Sequence, residues 1–304
     1  MRVLVFGAGA VGSILAVMLS SGNEVDVAVR GDRAPMIAEG GITLHGKVQR
    51  TAWPKTVPHG RYDMIFITTK AYDVEGAADA VTAFADGGTT IVSLQNGLRH
   101  LDLLGKRFGE CAIMAPTTLG AARTGPTTVK LAAIGTTTVG SPAGENERAA
   151  AVAALLNAAG LKSEVSENIV SEVWMKAIVN ACINPLAALA GVPNGRLLER
   201  TPLLSIAERA CFEAARASEE CGIVLPYSDA FARVKEVMRS TSENRCSMLQ
   251  DLEAGRRTEI DEINGELVRK GEAAGVRMDV NRSLWVMVRA AEGRVLSSQC
   301  YGST

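Results

Sequence analysis

Lys176, Asn180 and Asn184 fall four residues apart, the spacing that stacks side chains on one face of an α-helix. The segment around them, Val173 to Leu189, carries one charge in 17 residues and must therefore be largely buried. A polar row on such a helix suits either the wall of a polar cleft or a hydrogen-bonded internal network. In a cleft, these residue types fit carbonyl reduction. Hydride arriving at a carbonyl carbon leaves an alkoxide, which needs a proton donor within hydrogen-bond reach. A lysine can serve, because burial lowers its pKa toward neutrality, and the asparagines can donate to a carboxylate or hydroxyl without adding charge. His45, His59 and His100 lie outside every motif, which argues against histidine acid catalysis. No nucleophile elbow, zinc-binding helix motif or Walker loop is present, so no metal is expected.

Gly7-Ala8-Gly9-Ala10-Val11-Gly12 supplies the other half of that chemistry. It is a G-x-G-x-x-G run that follows a β-rich segment and opens a helical one, the context in which the motif marks a dinucleotide site. Gly7 would allow the tight turn, Gly9 would let a pyrophosphate approach the backbone, and Gly12 would let helix pack on strand. The helix N-terminus then offers free N–H groups and partial positive charge to the phosphates. Cofactor choice is read where the second strand ends. Arg30 stands there in place of the acid that would hold an unphosphorylated ribose, so NADPH is expected over NADH. Arg33 is a candidate for a second phosphate contact, and Asp32 reads as the N-cap of the next helix.

Two strand ends carry further candidates. Thr68-Thr69-Lys70 and Gln95-Asn96-Gly97 lie at the carboxyl edge, where parallel sheets bind ligands. Lys70 and Asn96 are either contacts to cofactor or substrate or ordinary loop residues. Ser247 opens a short helical run. Glu259 precedes a helix expected from Asp261, and Thr258-x-x-Asp261 resembles a capping box, so Glu259 is open to a structural reading as well.

The elements needed to position these groups are legible in outline. Segments 2–6, 24–30, 63–69, 89–94 and 111–115 are short, apolar and β-rich, and they alternate with helical segments 11–19, 33–39 and 74–85. That alternation predicts a mostly parallel sheet covered by helices on both faces. Residues 42–50 read as a hairpin turning at Gly46. Beyond residue 117 come glycine- and threonine-rich strands expected to form an antiparallel extension, then a helix at 145–159 and an edge strand at 162–165. From Asn168 onward only helical runs follow, at 168–190, 204–221, 228–239, 244–254, 261–274 and 281–292. Gly191, Gly222, Gly255 and Gly275 serve as stops. The fold class is thus α/β, with residues 1–166 as a dinucleotide-binding domain and 167–304 as an all-helical substrate domain.

Composition narrows the function further. With 32 basic and 33 acidic residues in 304, the net charge of −1 offers no field for nucleic acid or an anionic membrane. Binding to either is not expected. Val3 to Asn23 is uncharged and long enough to span a bilayer, but Gly7, Gly9 and Gly12 interrupt it and polar turn residues end it. It reads instead as strand, turn and helix. Cysteines 111, 182, 211, 221, 246 and 300 form no C-x-x-C pair, which fits reduced thiols and a cytoplasmic location. Exposed apolar helices in the second half would suit a homodimer.

Taken together, GAGAVG at 7–12, VR at 29–30, TTK at 68–70, QNG at 95–97, K-x-x-x-N-x-x-x-NP at 176–185 and SMLQDLEAGRRTEIDEING at 247–265 resemble the ketopantoate reductase family, within the 6-phosphogluconate dehydrogenase-like superfamily. The resemblance implies a Rossmann domain, a helical domain and an active site in the cleft between them. It also implies reduction of a 2-oxo acid, ketopantoate, by NADPH. Carried over residue by residue, it makes Lys176 the proton donor and Glu259 a second active-site residue. Asn96, Asn180, Asn184, Asn244 and Ser247 become substrate contacts, while Arg30, Lys70 and Asn96 join the glycine run at the cofactor. Two departures stand out: the segment after Gly275 lacks the prolines frequent in the family, and Asn244-Arg245-Cys246 replaces small residues. Rival readings are a β-hydroxyacid dehydrogenase, whose glycine-rich substrate segment is replaced here by Met114 to Gly120, and a non-catalytic NADPH-binding sensor.

Overall fold

A computed structural model describes residues 1–301, with side chains described through residue 293; Cys300 lies outside the described side chains. The chain divides into two compact units, Met1–Gln95 with His100–Ile169, and Asn96–Arg99 with Val170–Thr304. A single cut after residue 166 does not describe this division, since the four residues Asn96–Arg99 group with the second unit.

The first unit contains β1 (Arg2–Phe6), α1 (Ala10–Leu19), β2 (Glu24–Ala28), α2 (Arg33–Gly40), β3 (Ile42–Gly46), β4 (Arg50–Ala52), β5 (Met64–Ile67), α3 (Val74–Val81), β6 (Thr90–Ser93), most of α4 (Arg99–Phe108), β7 (Ala112–Met114), β8 (Gly120–Arg123), β9 (Thr128–Ala133), β10 (Thr137–Val139), α5 (Glu147–Ala158) and β11 (Ser163–Val165). Its main sheet is wholly parallel, in the order β2-β1-β5-β6-β7. Val3, Leu4, Val5, Ile65, Phe66 and Ile67 are fully buried, as strands covered on both faces require. Strand β2 ends at Ala28, so Arg30 stands in the loop beyond it rather than on the strand. Asp32 occupies the N-cap position of α2 but its side chain makes no capping bond.

The threonine-rich region departs from the expected antiparallel extension. β8 and β9 pair antiparallel with each other, but β9 runs parallel to β3, giving a separate four-stranded sheet β4-β3-β9-β8. β10 pairs parallel with β11, and the Met114–Gly140 and Thr117–Thr137 bridges are its antiparallel links near β7. This second sheet accounts for the uncharged N-terminal run. Helix α1 packs against β1 and β2 and also against β3, β8 and β9, so every residue from Gly12 to Leu19 is buried.

The second unit holds most of α6 (Ile169–Ala190), followed by α7 (Thr201–Glu220), α8 (Ala230–Ser240), α9 (Ser247–Glu253), α10 (Asn264–Ala273) and α11 (Asp279–Tyr301). α7, α10 and α11 pack on one another, and α9 on α11. Among the described residues, α6 is the one helix long and apolar enough to cross a membrane, yet 78% of its apolar window is buried within the protein.

Candidate active site

The glycine run forms a tight junction between β1 and α1. A Cβ on Gly12 would stand 2.0 Å from the Gly7 carbonyl oxygen, and Gly7 itself has φ +111°; neither position accepts a side chain without moving backbone. Gly9 differs. The nearest atom to a Cβ there is the Thr68 carbonyl oxygen at 3.9 Å, so its backbone is open to a ligand, and no side chain caps the start of α1. Unclaimed N–H groups beside an open glycine fit a pyrophosphate. Ala8 is buried, Ala10 and Val11 are half-buried, and the Ala8 carbonyl accepts from the Arg33 guanidinium at 2.5 Å. Arg33 also donates to the Pro126 carbonyl at 2.7 Å, so it braces the glycine run. Arg30 is exposed and lies 3.6 Å from Asp73.

The ends of β5 and β6 are tied to this junction. The Thr68 hydroxyl donates to the Gly7 carbonyl at 2.6 Å. Gln95, less conspicuous in the sequence than its neighbour Asn96, donates through Nε2 to the Thr69 hydroxyl at 3.0 Å and to the Thr69 and Lys70 carbonyls at 3.2 Å. A buried amide with three acceptors fixes the backbone that carries half-buried Lys70. The signal for Gln95 was its place in the QNG run at a strand end.

In the second unit, Lys176 and Asn180 are half-buried and Asn184 is buried, in a row along α6. The protein packed around the Lys176 amine pulls its pKa down to about 8, and the negative charge of Glu259 opposes that fall. At neutral pH the amine therefore holds a proton, and holds it less firmly than an exposed lysine does. Such a group is poised to give that proton to a developing alkoxide.

Glu259 does not sit in the first turn of a helix. α10 begins only at Asn264, and no capping box forms. The Thr258 hydroxyl instead donates to Glu292 Oε1 at 2.6 Å, with the Thr258 N–H on the same oxygen at 2.7 Å. Asp261 accepts from Trp285 Nε1 at 2.7 Å. The turn carrying Glu259 is thus pinned to α11 on both sides of it. Glu259 itself is buried and accepts from Asn96 Nδ2 at 3.0 Å. Asn96 reaches it because Gly97, at φ +82°, lies so close to the Glu262 carbonyl that a Cβ would stand 2.1 Å from that oxygen. The Leu98 N–H donates to the same carbonyl at 3.3 Å.

Asn184 meets the next motif through backbone. Its carbonyl accepts from Cys246 Sγ at 3.6 Å, and Cys246 also caps α9 by accepting from the Leu249 N–H at 3.4 Å. Cys246, one of the departures from the family pattern, therefore couples α6 to the start of α9, where exposed Ser247 is the first residue. Asn244, three residues before Ser247, is exposed, and its carbonyl accepts from the Asn194 N–H at 3.0 Å. The structure thus joins Lys176, Asn184, Ser247, Glu259 and Asn96 by charge, hydrogen bond or chain adjacency, with Asn180 in the same row. The cysteines with described side chains, 111, 182, 211, 221 and 246, are free.

Comparisons with known proteins agree along nearly the whole chain. The family model for ketopantoate reductase PanE/ApbA matches residues 3–144, and that for its C-terminal region matches 168–292. The 2-dehydropantoate 2-reductase of Archaeoglobus fulgidus is 36% identical over 299 residues, covering 96% of this chain and 98% of that protein. The enzyme of the same name from Pyrococcus horikoshii is 33% identical over 297 residues, with the same shares covered. Among solved structures, a PanE/ApbA family ketopantoate reductase from Ralstonia eutropha is similar with a TM-score of 0.89 at 27% identity, covering 97% of this chain and 99% of that one. D-mandelate dehydrogenase with NADH and anilino(oxo)acetate reaches a TM-score of 0.91 at 28% identity, with the same coverage.

Proposed function

The chain belongs to the ketopantoate reductase (PanE/ApbA) family, and from that membership we propose that it reduces 2-dehydropantoate to pantoate with NADPH. The observation that carries the reading is Lys176: an amine on an apolar helix, its proton loosened by burial and retained by Glu259. The nicotinamide, when bound, supplies hydride to the C2 carbonyl carbon. Lys176 delivers the proton to the oxygen of that carbonyl. Asn180, Asn184 and Ser247 present neutral donors to the substrate carboxylate and hydroxyls, which orients the carbonyl without further charge. Glu259 fixes the Lys176 proton electrostatically and is itself held by Asn96. The glycine run and α1 would hold the pyrophosphate, Arg30 would hold the 2′-phosphate, and Lys70 would contact the cofactor. Free cysteines favour a cytoplasmic setting for this chemistry, and exposed Phe212, Val224, Val286 and Met287 on the helical unit suit a homodimer.

The test is NADPH oxidation with a panel of 2-oxo acids. Turnover is expected to be fastest with 2-dehydropantoate, and no turnover with any acid would leave a nucleotide-binding sensor as the better account. A second reading follows from the similarity to D-mandelate dehydrogenase with NADH: preferential reduction of an aryl 2-oxo acid by NADH would establish it. Arg30→Ala separates the two cofactor readings. One exposed charge-assisted contact is worth about 1.5 kcal/mol, so the variant should lose roughly tenfold of the NADPH preference while NADH kinetics stay unchanged. Equal preference in both forms would sink the role of Arg30.

A further inference from the structure

Helix α6 contains a proline in its interior, Pro185. A proline has no N–H, so the carbonyl four residues earlier loses its helical donor, and the ring pushes that carbonyl aside. Here the carbonyl is that of Ala181, which follows Asn180 in the chain and precedes Asn184 by three residues. It is buried, where an unpaired carbonyl is costly. Its donor comes from outside the helix: Asn264 Nδ2 lies 3.2 Å from the Ala181 oxygen.

Asn264 is fully buried and is oriented by what it donates. The same Nδ2 gives its second hydrogen bond to Asn281 Oδ1 at 3.1 Å, while Asn264 Oδ1 is buried without a hydrogen-bond partner. Asn281, also fully buried, donates through Nδ2 to the Ala210 carbonyl and to Glu213 Oε2, both at 2.9 Å. Glu213 in turn accepts the N–H groups of Val280 and Asn281 at 2.8 and 3.0 Å, which are the otherwise unpaired donors in the first turn of α11. A continuous polar chain thus runs from α7 through the start of α11 and the first residue of α10 to the interrupted turn of α6. Asn264 also ends the short turn that carries Glu259, since the Gly265 N–H donates back to the Ile260 carbonyl at 3.0 Å.

We propose that Asn264 is a positioning residue for catalysis, which clamps the proline-broken turn of α6 to the Glu259 turn and so sets Lys176, Asn180 and Asn184 relative to Glu259. Asn281 and Glu213 hold Asn264 in the donating orientation. The inference rests on the reductase reading for its kinetic consequence and on geometry alone for its structural one.

The experiment combines kinetics with a crystal structure of each variant. Asn264→Ala should lower kcat about 10²-fold, the scale of an ångström-sized misplacement, with NADPH affinity unchanged because the glycine run belongs to the other unit. Turnover close to that of the wild type overturns the proposal. Where Asn264→Ala does not fold, the double variant Pro185→Ala with Asn264→Ala returns a backbone N–H to the Ala181 carbonyl. It should fold yet keep the low kcat, since α6 then runs straight and its row is displaced. Full turnover in the double variant overturns the proposal, because Asn264 would then only complete the helix. The structural arm is independent of substrate: Lys176 and Asn184 should shift relative to Glu259 in the variants, and an unchanged arrangement defeats the inference even if the wild type reduces none of the acids tested.

Discussion

Lys176→Ala will lower kcat for 2-oxo acid reduction by about 10²–10⁴-fold, the contribution of a positioned general acid, and will leave NADPH affinity intact. The separation follows from where the groups sit. The glycine run proposed to hold the cofactor, tied to Thr68, belongs to the first unit, and Lys176 to the second. The pH dependence gives a second measure of the same role. With Lys176 as the proposed donor, reduction uses the protonated amine, whose pKa is about 8, so kcat should be level at neutral pH and fall as pH rises through that value. In Glu259→Gln the carboxylate that raises this pKa is gone while the burial that lowers it remains. The descending limb must therefore move to lower pH. A limb that stays in place or moves upward would show that another group donates the proton, as would near-normal turnover by Lys176→Ala.

What could be read from the sequence, and what could not, divides along sequence separation. The Lys176 row follows from helical period and apolar context within 17 residues, and the glycine run from a strand and a helix in immediate succession. Both depend on local periodicity, which one chain displays. The partner of Asn96 lies 163 residues away in sequence, and nothing near either residue specifies that pairing. The same holds for Thr258, whose capping pattern is overridden by Glu292 on α11. A local hydrogen-bonding option yields when a buried carboxylate can be satisfied instead. The threonine-rich strands escape a purely antiparallel reading for a related reason: alternation reports that a segment is a strand, but β9 joins β3 through parallel pairing across more than 80 residues, and no turn signal encodes such a partner. Pro185 is visible as part of a motif, whereas the donor that compensates for it is not.

Gly97→Ala should be the most damaging single methyl group in the second unit. Gly97 has φ +82°, a region that costs a non-glycine residue about 1–3 kcal/mol. The added Cβ would also stand 2.1 Å from the Glu262 carbonyl oxygen and 2.7 Å from its carbon. No rotamer relieves a clash between a Cβ and backbone, so the segment has to lift. Lifting breaks the Leu98 bond to the Glu262 carbonyl and withdraws Asn96 from Glu259. Thermal stability should fall, and kcat/KM should drop by about 10²-fold, because Glu259 loses the contact that aims it. Gly105→Ala is the control: this glycine lies within α4 with nothing within 4 Å of where the new methyl would stand, and alanine there favours the helix by about 0.5–1 kcal/mol. Asn96→Ala completes the argument, since it removes the hydrogen bond without moving backbone. If it reproduces the kinetic loss of Gly97→Ala while stability stays near that of the wild type, the close approach at Gly97 exists to deliver Asn96. If Asn96→Ala is kinetically silent, Glu259 is held by its own turn and the glycine is needed only for packing.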